Sequence, residues 1–113
     1  MPESIRPPHL RTLSIDSTES TDGTLTLVCR GQIALETAGT FKSEVKRHAS
    51  NHQYVLADLS AVDYVDSSGL GEILGAYTSA RSAGCQLKLL KVQPRLKDLL
   101  DMTRLASVVD MEP

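Results

Sequence analysis

The sequence predicts an α/β domain built on a mixed β-sheet. Strand-type and helix-type patterns alternate in the order β-β-α-β-α-β-α, which is typical of parallel strand pairs with helices packed on the sheet. The 113 residues are 41% hydrophobic, enough for one domain to build its own core. Because crossovers between parallel strands are right-handed, we expect the first two helices on one face of the sheet where the strands progress in one direction.

The chain divides into a flexible N-terminal arm at 1–11 and a single domain at 12–113. Pro2, Pro7 and Pro8 fall in the arm. Each proline removes a backbone N–H donor and favours extended backbone in the residue before it. The arm has no apolar run of the kind that a secretion signal needs, so we expect no such signal.

Two strands open the domain as a predicted β-hairpin. They cover 12–16 and 24–30, and the polar segment between them ends in the turn signal Asp22-Gly23. The later elements are a helix over 37–50, a strand over 54–59, a helix from 66 to a glycine cap at 83–84, a strand over 86–92, a helix that begins at Pro94, and a short apolar stretch at 106–109. The third strand is apolar enough that we expect both its faces to be covered.

Composition argues against several classes of partner. Twelve lysine and arginine residues against fourteen aspartate and glutamate residues give a net charge of −2, without a basic stripe for nucleic acid or an anionic membrane. Three tyrosines, one phenylalanine and no tryptophan offer no base-stacking surface. No apolar run approaches the roughly 20 residues of a membrane span. Cys29 and Cys85 lie far apart without metal-type spacing, which predicts reduced thiols in a cytoplasmic protein.

No set of residues predicts catalysis. Asp58, Asp63 and Asp66 are close in sequence, and paired carboxylates can bind Mg²⁺ or transfer protons. However, Asp58 is predicted in a strand and Asp63 in a loop, so solvated or capping carboxylates are favoured. Gly71 and Gly75 belong to a glycine run that misses the dinucleotide-binding spacing by one residue, and their four-residue step favours close backbone packing. We expect no cofactor, no metal and no enzymatic activity.

The turn before the second helix carries three cap-forming residues in a row, Asp66, Ser67 and Ser68. A side-chain oxygen there accepts from free N–H groups of the first helical turn, which stabilises a fold by up to about 2 kcal/mol. One cap needs one residue, and a surplus hydroxyl at a helix N-terminus lies where an anion is favoured. A phosphoryl group would add about −1.5 to −2 charge beside Asp66 without unfolding the domain. The turn therefore predicts either an ordinary capped loop or a site of reversible charge.

The stretch from 55 to 71 resembles the core signature of the STAS domain of bacterial anti-sigma factor antagonists. It reads Val-Leu-Ala-Asp-Leu-Ser-Ala-Val-Asp-Tyr-Val-Asp-Ser-Ser-Gly-Leu-Gly. The likeness extends over about 12–110, and Gly31-Gln32-Ile33 loosely resembles the family's Gly-Glu-Ile/Leu turn. The resemblance implies a STAS-type mixed sheet of about four to five strands, with three to four helices packed mainly on one side.

The resemblance also implies a regulator rather than an enzyme. Such an antagonist binds an anti-sigma factor that is a serine kinase, and so releases the sigma factor. The kinase phosphorylates the serine directly after the motif aspartate, by position Ser67 with Ser68 as runner-up, and a serine phosphatase restores binding. The implied partner-binding residues are Gly31, Gln32, Ile33, Asp66, Ser67, Ser68, Gly69, Leu70 and Gly71. The alternative is a STAS-type subunit of a larger assembly, such as a stress-signalling scaffold or a lipid-transport complex, without a phosphorylation switch.

Roles for single residues follow from the same resemblance. Asp66 would orient the partner or be read by it, and the glycines at 69 and 71 would let the partner approach the backbone. Gln32 replaces the family's Glu, and Ala34 replaces a frequent acidic residue, in the turn that commonly faces the kinase. Arg104 stands where the family often has glycine. We expect the first two departures to bear on partner choice and the third on the end of the last helix.

Overall fold

The computed structural model describes residues 10–104 and 109–112 and confirms an α/β fold with a five-stranded mixed sheet. The strands are β1 (Leu13–Glu19), β2 (Leu25–Ile33), β3 (Tyr54–Val65), β4 (Gln86–Leu90) and β5 (Asp110–Glu112). The helices are α1 (Thr40–Ala49), α2 (Ser67–Ser82) and α3 (Pro94–Met102), with a short 3-10 helix at Leu35–Thr37. Residues 1–9 of the predicted arm and 105–108 of the chain's last segment lie outside the described residues.

The strands lie side by side in chain order. β1 runs antiparallel to β2, as the predicted hairpin requires, and each later strand runs parallel to the one before it. Helices α1 and α2 pack against each other over the sheet, which confirms that they share one face. None of the described helices is long and apolar enough to cross a membrane.

The core lies between this helix pair and one face of the sheet, and α3 adds Leu96 and Leu100 to it. Its largest fully buried side chains are Phe41, Leu27, Ile33, Leu59, Ile73, Leu87, Leu89, Leu100, Val45, Val55 and Cys29. The expectation that β3 is covered on both faces is wrong, because burial alternates along it. Val55 and Ala57 are buried, whereas Leu56 and Asp58 between them are only half-buried. The second face of the sheet is therefore partly open.

The end of β3 differs from the prediction. The strand continues six residues beyond Leu59 to Val65, so Asp63 lies in a strand and not in a loop. This extension is held by pairing with the end of β2, where Gly31 faces Val62 and Ile33 faces Val65. The predicted turn at 31–33 is likewise strand, and the register shifts there mark an irregular ladder.

Local signals at the helix ends are confirmed. Pro94 is the first residue of α3, as a first-turn proline should be. Helix α2 ends at Ser82, where the N–H groups of Gly84 and Cys85 donate to Arg81 and Ala80, the paired bonds of a glycine-type C-cap. Such caps depend on neighbours in sequence, which is why they are readable before the fold is known.

Both cysteines are free thiols within the fold. Cys29 and Cys85 are buried, on β2 and just before β4. Burial raises the pKa of the Cys29 thiol to about 12, and the charge of Asp58 acts in the same direction. A thiol held neutral in this way packs as a small apolar side chain and is a poor nucleophile.

Candidate functional site

Asp66 caps helix α2 and ties it to the segment after β2. One carboxylate oxygen, Oδ1, accepts from the backbone N–H of Gly69 at 2.8 Å. The other, Oδ2, accepts from the N–H of Leu35 at 3.2 Å. One side chain thus fills the cap and joins two segments that are far apart in sequence.

The carboxylate of Asp66 is held in its charged form. Partial burial acts to raise the pKa of this group. Backbone N–H donors, chiefly those of Gly69 and Leu35, outweigh burial, and the charge of Arg11 adds to them, so the pKa lies below its ordinary value. Hydrogen bonds to a carboxylate favour the ionised form in this way. A negative charge therefore sits permanently beside the start of α2 at neutral pH.

Ser67 and Ser68 occupy the first two positions of α2, and both are exposed. Because Asp66 already supplies the cap, neither hydroxyl is needed for it. Within residues 10–104 and 109–112, neither hydroxyl makes a hydrogen bond. The surplus hydroxyls predicted from the sequence are therefore present, solvent-accessible and at the positive end of the helix dipole.

Gly69 brings the helix into direct contact with the sheet. It is buried, and a Cβ at this position would lie 1.8 Å from the carbonyl oxygen of Ile33. The absence of a side chain therefore serves the fold itself, whatever a partner requires. Gly71 is exposed, with no atom within 4 Å of a Cβ built there, so its backbone is open to approach. Gly75 packs on the side-chain stem of Lys42 in α1.

Gln32, on β2, links the residue before β1 to β3 through its side chain. Its Oε1 accepts from the backbone N–H of Thr12 at 3.0 Å, and its Nε2 donates to Oδ1 of Asp63 at 2.8 Å. A glutamate, which is common at this position in the family that the sequence resembles, has no N–H to offer Asp63. Gln32 is therefore matched to Asp63, and the departure at this position has an explanation inside the chain.

The remaining predicted site residues divide by exposure. The side chains of Ile33 and Leu70 are buried in the core, so they support this surface from below and do not form it. Gly31 packs against the first strand, since a Cβ there would lie 2.2 Å from the carbonyl oxygen of Thr12. Ala34 is buried too, where an acidic side chain would be costly.

Two surface features near the turn were not predicted from the sequence. Leu35 is 68% exposed, a large apolar side chain next to the cap that its own N–H completes. Arg11 pairs with Glu36 at 3.0 Å, and its guanidinium lies 4.0 Å from the centre of the Tyr64 ring. A large apolar residue two positions after the end of a strand and next to Glu36 was the available signal for Leu35. The Arg11 contacts bring together three distant segments and left no local signal.

The three acidic residues near the turn have separate tasks. Asp58 accepts from the N–H of Ser60 at 2.9 Å and lies 3.8 Å from Nζ of Lys91, on the half-open face of the sheet. Asp63 binds Gln32, and Asp66 caps α2. No group of three or more histidine, cysteine or acidic side chains in the described part of the chain is arranged to hold a metal ion. The geometry instead presents exposed serine hydroxyls in the first turn of α2, directly after an ionised capping carboxylate in the chain.

Comparison with known proteins identifies the family. The sequence matches the STAS domain over residues 17–113. It is 30% identical over 101 residues to the anti-sigma-B factor antagonist of Listeria monocytogenes, covering 88% of this chain and 89% of that protein. Among solved structures, an anti-sigma factor antagonist from Mycobacterium paratuberculosis superposes with a TM-score of 0.76 at 19% identity, over 90% of this chain and 86% of that one.

A second solved structure of similar fold is the Bacillus cell fate determinant SpoIIAA in its phosphorylated form. It superposes with a TM-score of 0.66 at 14% identity, over 88% of this chain and 92% of that one. At these identities the two solved structures show only that the fold is shared. Family membership is shown by the STAS domain match and by the Listeria protein. The chain belongs to the STAS domain family, alongside bacterial anti-sigma factor antagonists.

Proposed function

We propose that this protein is an anti-sigma factor antagonist that is switched off by phosphorylation of Ser67. In this proposal it binds an anti-sigma factor serine kinase in the bacterial cytoplasm, and that binding releases the sigma factor. The observation that carries the proposal is the free, exposed hydroxyl of Ser67 at the start of a helix whose cap is already filled by Asp66. The curated relative is named an anti-sigma-B factor antagonist, which supports the regulatory role.

The geometry explains how charge at Ser67 could act without harming the fold. A phosphoryl group adds about −1.5 to −2 charge, and the helix N-terminus and exposure to water both tolerate it. Its cost arises only when a partner covers the turn, because two negative groups at neighbouring positions, phosphoserine and Asp66, then lose water. Burying unpaired charge costs several kcal/mol, and each 1.4 kcal/mol weakens binding tenfold. Micromolar or tighter binding is lost on that scale.

Ser67 is preferred over Ser68, which also has an exposed hydroxyl. The family pattern places the modified serine directly after the motif aspartate, and Ser67 holds that position. A structure of phosphorylated SpoIIAA supports a phosphorylated state in a protein of this fold. The protein itself is proposed to act without catalysis or cofactor, and a serine phosphatase is proposed to reverse the modification.

The partner surface proposed here is centred on the start of α2. It includes Ser67 and Ser68, the open backbone of Gly71, and the exposed side chain of Leu35. An exposed leucine beside polar groups is a suitable anchor for a partner, since apolar centres with polar rims dominate binding energy. Gly31, Gln32 and Ile33 would contribute by holding the end of β2 in place.

The test uses every anti-sigma factor serine kinase encoded in the source genome, each purified and mixed with this protein and ATP. We expect one of them to bind the wild type and to add one phosphoryl group, seen by intact mass. Ser67→Ala should keep the affinity and block the modification, whereas Ser67→Asp should weaken binding at least tenfold in a titration. Ser68→Ala is the matched control and should be phosphorylated like the wild type.

Two results would overturn the proposal. The first is that no anti-sigma factor binds the wild type, and the second is that Ser67→Ala and Ser67→Asp bind equally well. The second result, with no phosphoryl group detected, is what a STAS-type subunit of a larger assembly predicts. Circular dichroism of each variant checks that the fold is retained.

A further inference from the structure

An apolar groove lies between the end of β3 and helix α3. Its volume is about 590 Å³. Its apolar and aromatic lining includes Val62, Tyr64, Val65, Leu96, Leu99 and Met102. A space of this size and character is typical of a site that receives another molecule, since such sites are concave and mostly apolar.

Met102 is the most exposed large apolar side chain in the described part of the chain. It is 81% exposed at the end of α3, whereas Leu96 and Leu100 on the same helix are buried in the core. The fold therefore does not use Met102 for its own packing. Methionine is flexible and polarizable, which suits a surface that must fit the side chains of a partner. Met102 thus adds to the groove an apolar side chain with no role in the core, whereas Val62 and Leu96 of the groove wall belong to the core.

The rim of the groove is acidic on balance. Asp63 and Asp98 line it together with one basic side chain, Arg95. Arg11 lies over the ring of Tyr64 at the groove, and its charge is paired with Glu36. Asp63 accepts a hydrogen bond from the neutral amide of Gln32, which satisfies one oxygen but leaves its charge in place. A partner with basic side chains around an apolar one would complement this rim.

The groove is continuous with the phosphorylation turn. Val65 lies on the groove wall, and Ser67 is two residues further along the chain, no more than about 8 Å away between Cα atoms. A stable protein interface covers about 800 Å² on each partner, a disc of about 16 Å radius. A partner seated on Ser67 therefore also covers the near end of the groove.

We propose that this groove receives an apolar side chain from an amphipathic segment of the anti-sigma factor, with lysine or arginine on either side of it. The proposal rests on the proposed function, because it assigns a second contact to the same partner. The charge at Ser67 then controls whether the complex forms. The groove contributes apolar contacts to the binding free energy, and phosphorylation does not change that contribution. Met102 and Leu99 are the contact residues in this arrangement.

The experiment measures the dissociation constant of the anti-sigma factor kinase that binds wild type in the phosphorylation test. Met102→Glu should weaken binding at least tenfold, because it places a charge in an apolar contact and beside acidic groups. Lys97→Gln is the matched control, on the same helix outside the groove, with the same change of net charge. It should alter the dissociation constant less than twofold. Both changes lie at exposed positions, and urea unfolding should confirm that stability is kept.

The outcomes separate the two proposals. If Ser67→Asp weakens binding but Met102→Glu does not, the groove proposal fails and the proposed function stands. If no anti-sigma factor binds wild type, both fail. A photo-crosslinking residue placed at position 102 identifies the occupant: a cross-link to the anti-sigma factor supports the proposal. A cross-link to a second copy, or to this chain's own N-terminal arm, overturns it.

Discussion

Replacement of Gly69 tests how α2 is seated on the sheet. A Cβ at this position would lie 1.8 Å from the carbonyl oxygen of Ile33, whereas real Cβ contacts stay above 3.0 Å. The obstructing atom belongs to the backbone of β2, so no side-chain rotation relieves the overlap. Gly69→Ala therefore forces the first turn of α2 away from β2 by about 1.2 Å.

That displacement weakens the bonds that hold the turn. The N–H of Asp66 lies 3.4 Å from the carbonyl oxygen of Ile33, and Oδ2 of Asp66 accepts from Leu35 at 3.2 Å. Overpacking costs about 1–3 kcal/mol, and each lost hydrogen bond costs about 1 kcal/mol. Alanine returns at most about 1 kcal/mol through helix propensity. We expect the free energy of unfolding to fall by about 3 kcal/mol.

Gly71→Ala is the matched control on the same helix. No atom lies within 4 Å of a Cβ built at Gly71, which is exposed. This change should raise the free energy of unfolding by about 0.5–1 kcal/mol, since alanine restricts the unfolded chain and favours helix. Urea unfolding followed by circular dichroism measures both variants. Equal midpoints for Gly69→Ala and Gly71→Ala would refute the close contact between α2 and β2.

Two further predictions concern pH. Gln32→Glu removes the hydrogen bond to the exposed Asp63 and places a second carboxylate against it, so we expect a loss of about 1 kcal/mol at neutral pH. Urea unfolding should show that loss shrink near pH 4, as one of the two groups takes up a proton; a pH-independent loss would contradict this. His52 has both ring nitrogens against acceptors, with Nδ1 3.0 Å from the carbonyl oxygen of His48 and Nε2 2.5 Å from Oε1 of Glu19. The His48 carbonyl and then Glu19 raise its pKa above 6.5, so its stabilising effect is complete below that pH and is lost as pH rises through the folded-state pKa. The urea concentration at the unfolding midpoint of the wild type should therefore decrease as the pH rises from about 6 to about 8, the range in which histidine titrates. The same decrease in a His52→Gln protein would exclude this residue as the cause.

Among the features that were predicted correctly from the sequence are helix ends, which residues close in sequence determine. The cap at Asp66, the first-turn Pro94 and the glycine at the end of α2 each act within one helical turn, so their residue types suffice. The start of α1 shows the opposite case. Its first N–H groups, at Phe41 and Lys42, donate to the buried carboxylate of Glu72 in α2. Because the capping side chain is about 30 residues away, the sequence around the start of α1 carries no signal of it.

Long-range contact also explains what was missed at the site. The extension of β3 is polar in part and is strand because β2 pairs with it, which the run from 54 to 59 does not reveal. β5 is only three residues long and pairs with β4 alone, so it has no pattern of its own. The sequence alone predicts that Gly69 lets a partner approach the backbone. Its contact with Ile33 becomes apparent only when the strand and the helix are placed together.

The same contacts bear on where the proposed phosphorylation of Ser67 would act. The start of α2 is fixed by Asp66 and by the fit of Gly69 on β2, and neither involves the Ser67 hydroxyl. Charge added to Ser67 therefore leaves the contacts that hold the turn largely unchanged, and we expect no rearrangement of the domain. If that charge decides whether a complex forms, its energy must come from the partner surface that would bury it. The specificity of such a switch then depends on which groups the partner places opposite Ser67 and Asp66. A partner with a basic group at that point would bind the phosphorylated form more tightly, so the effect of phosphorylation on binding would be reversed.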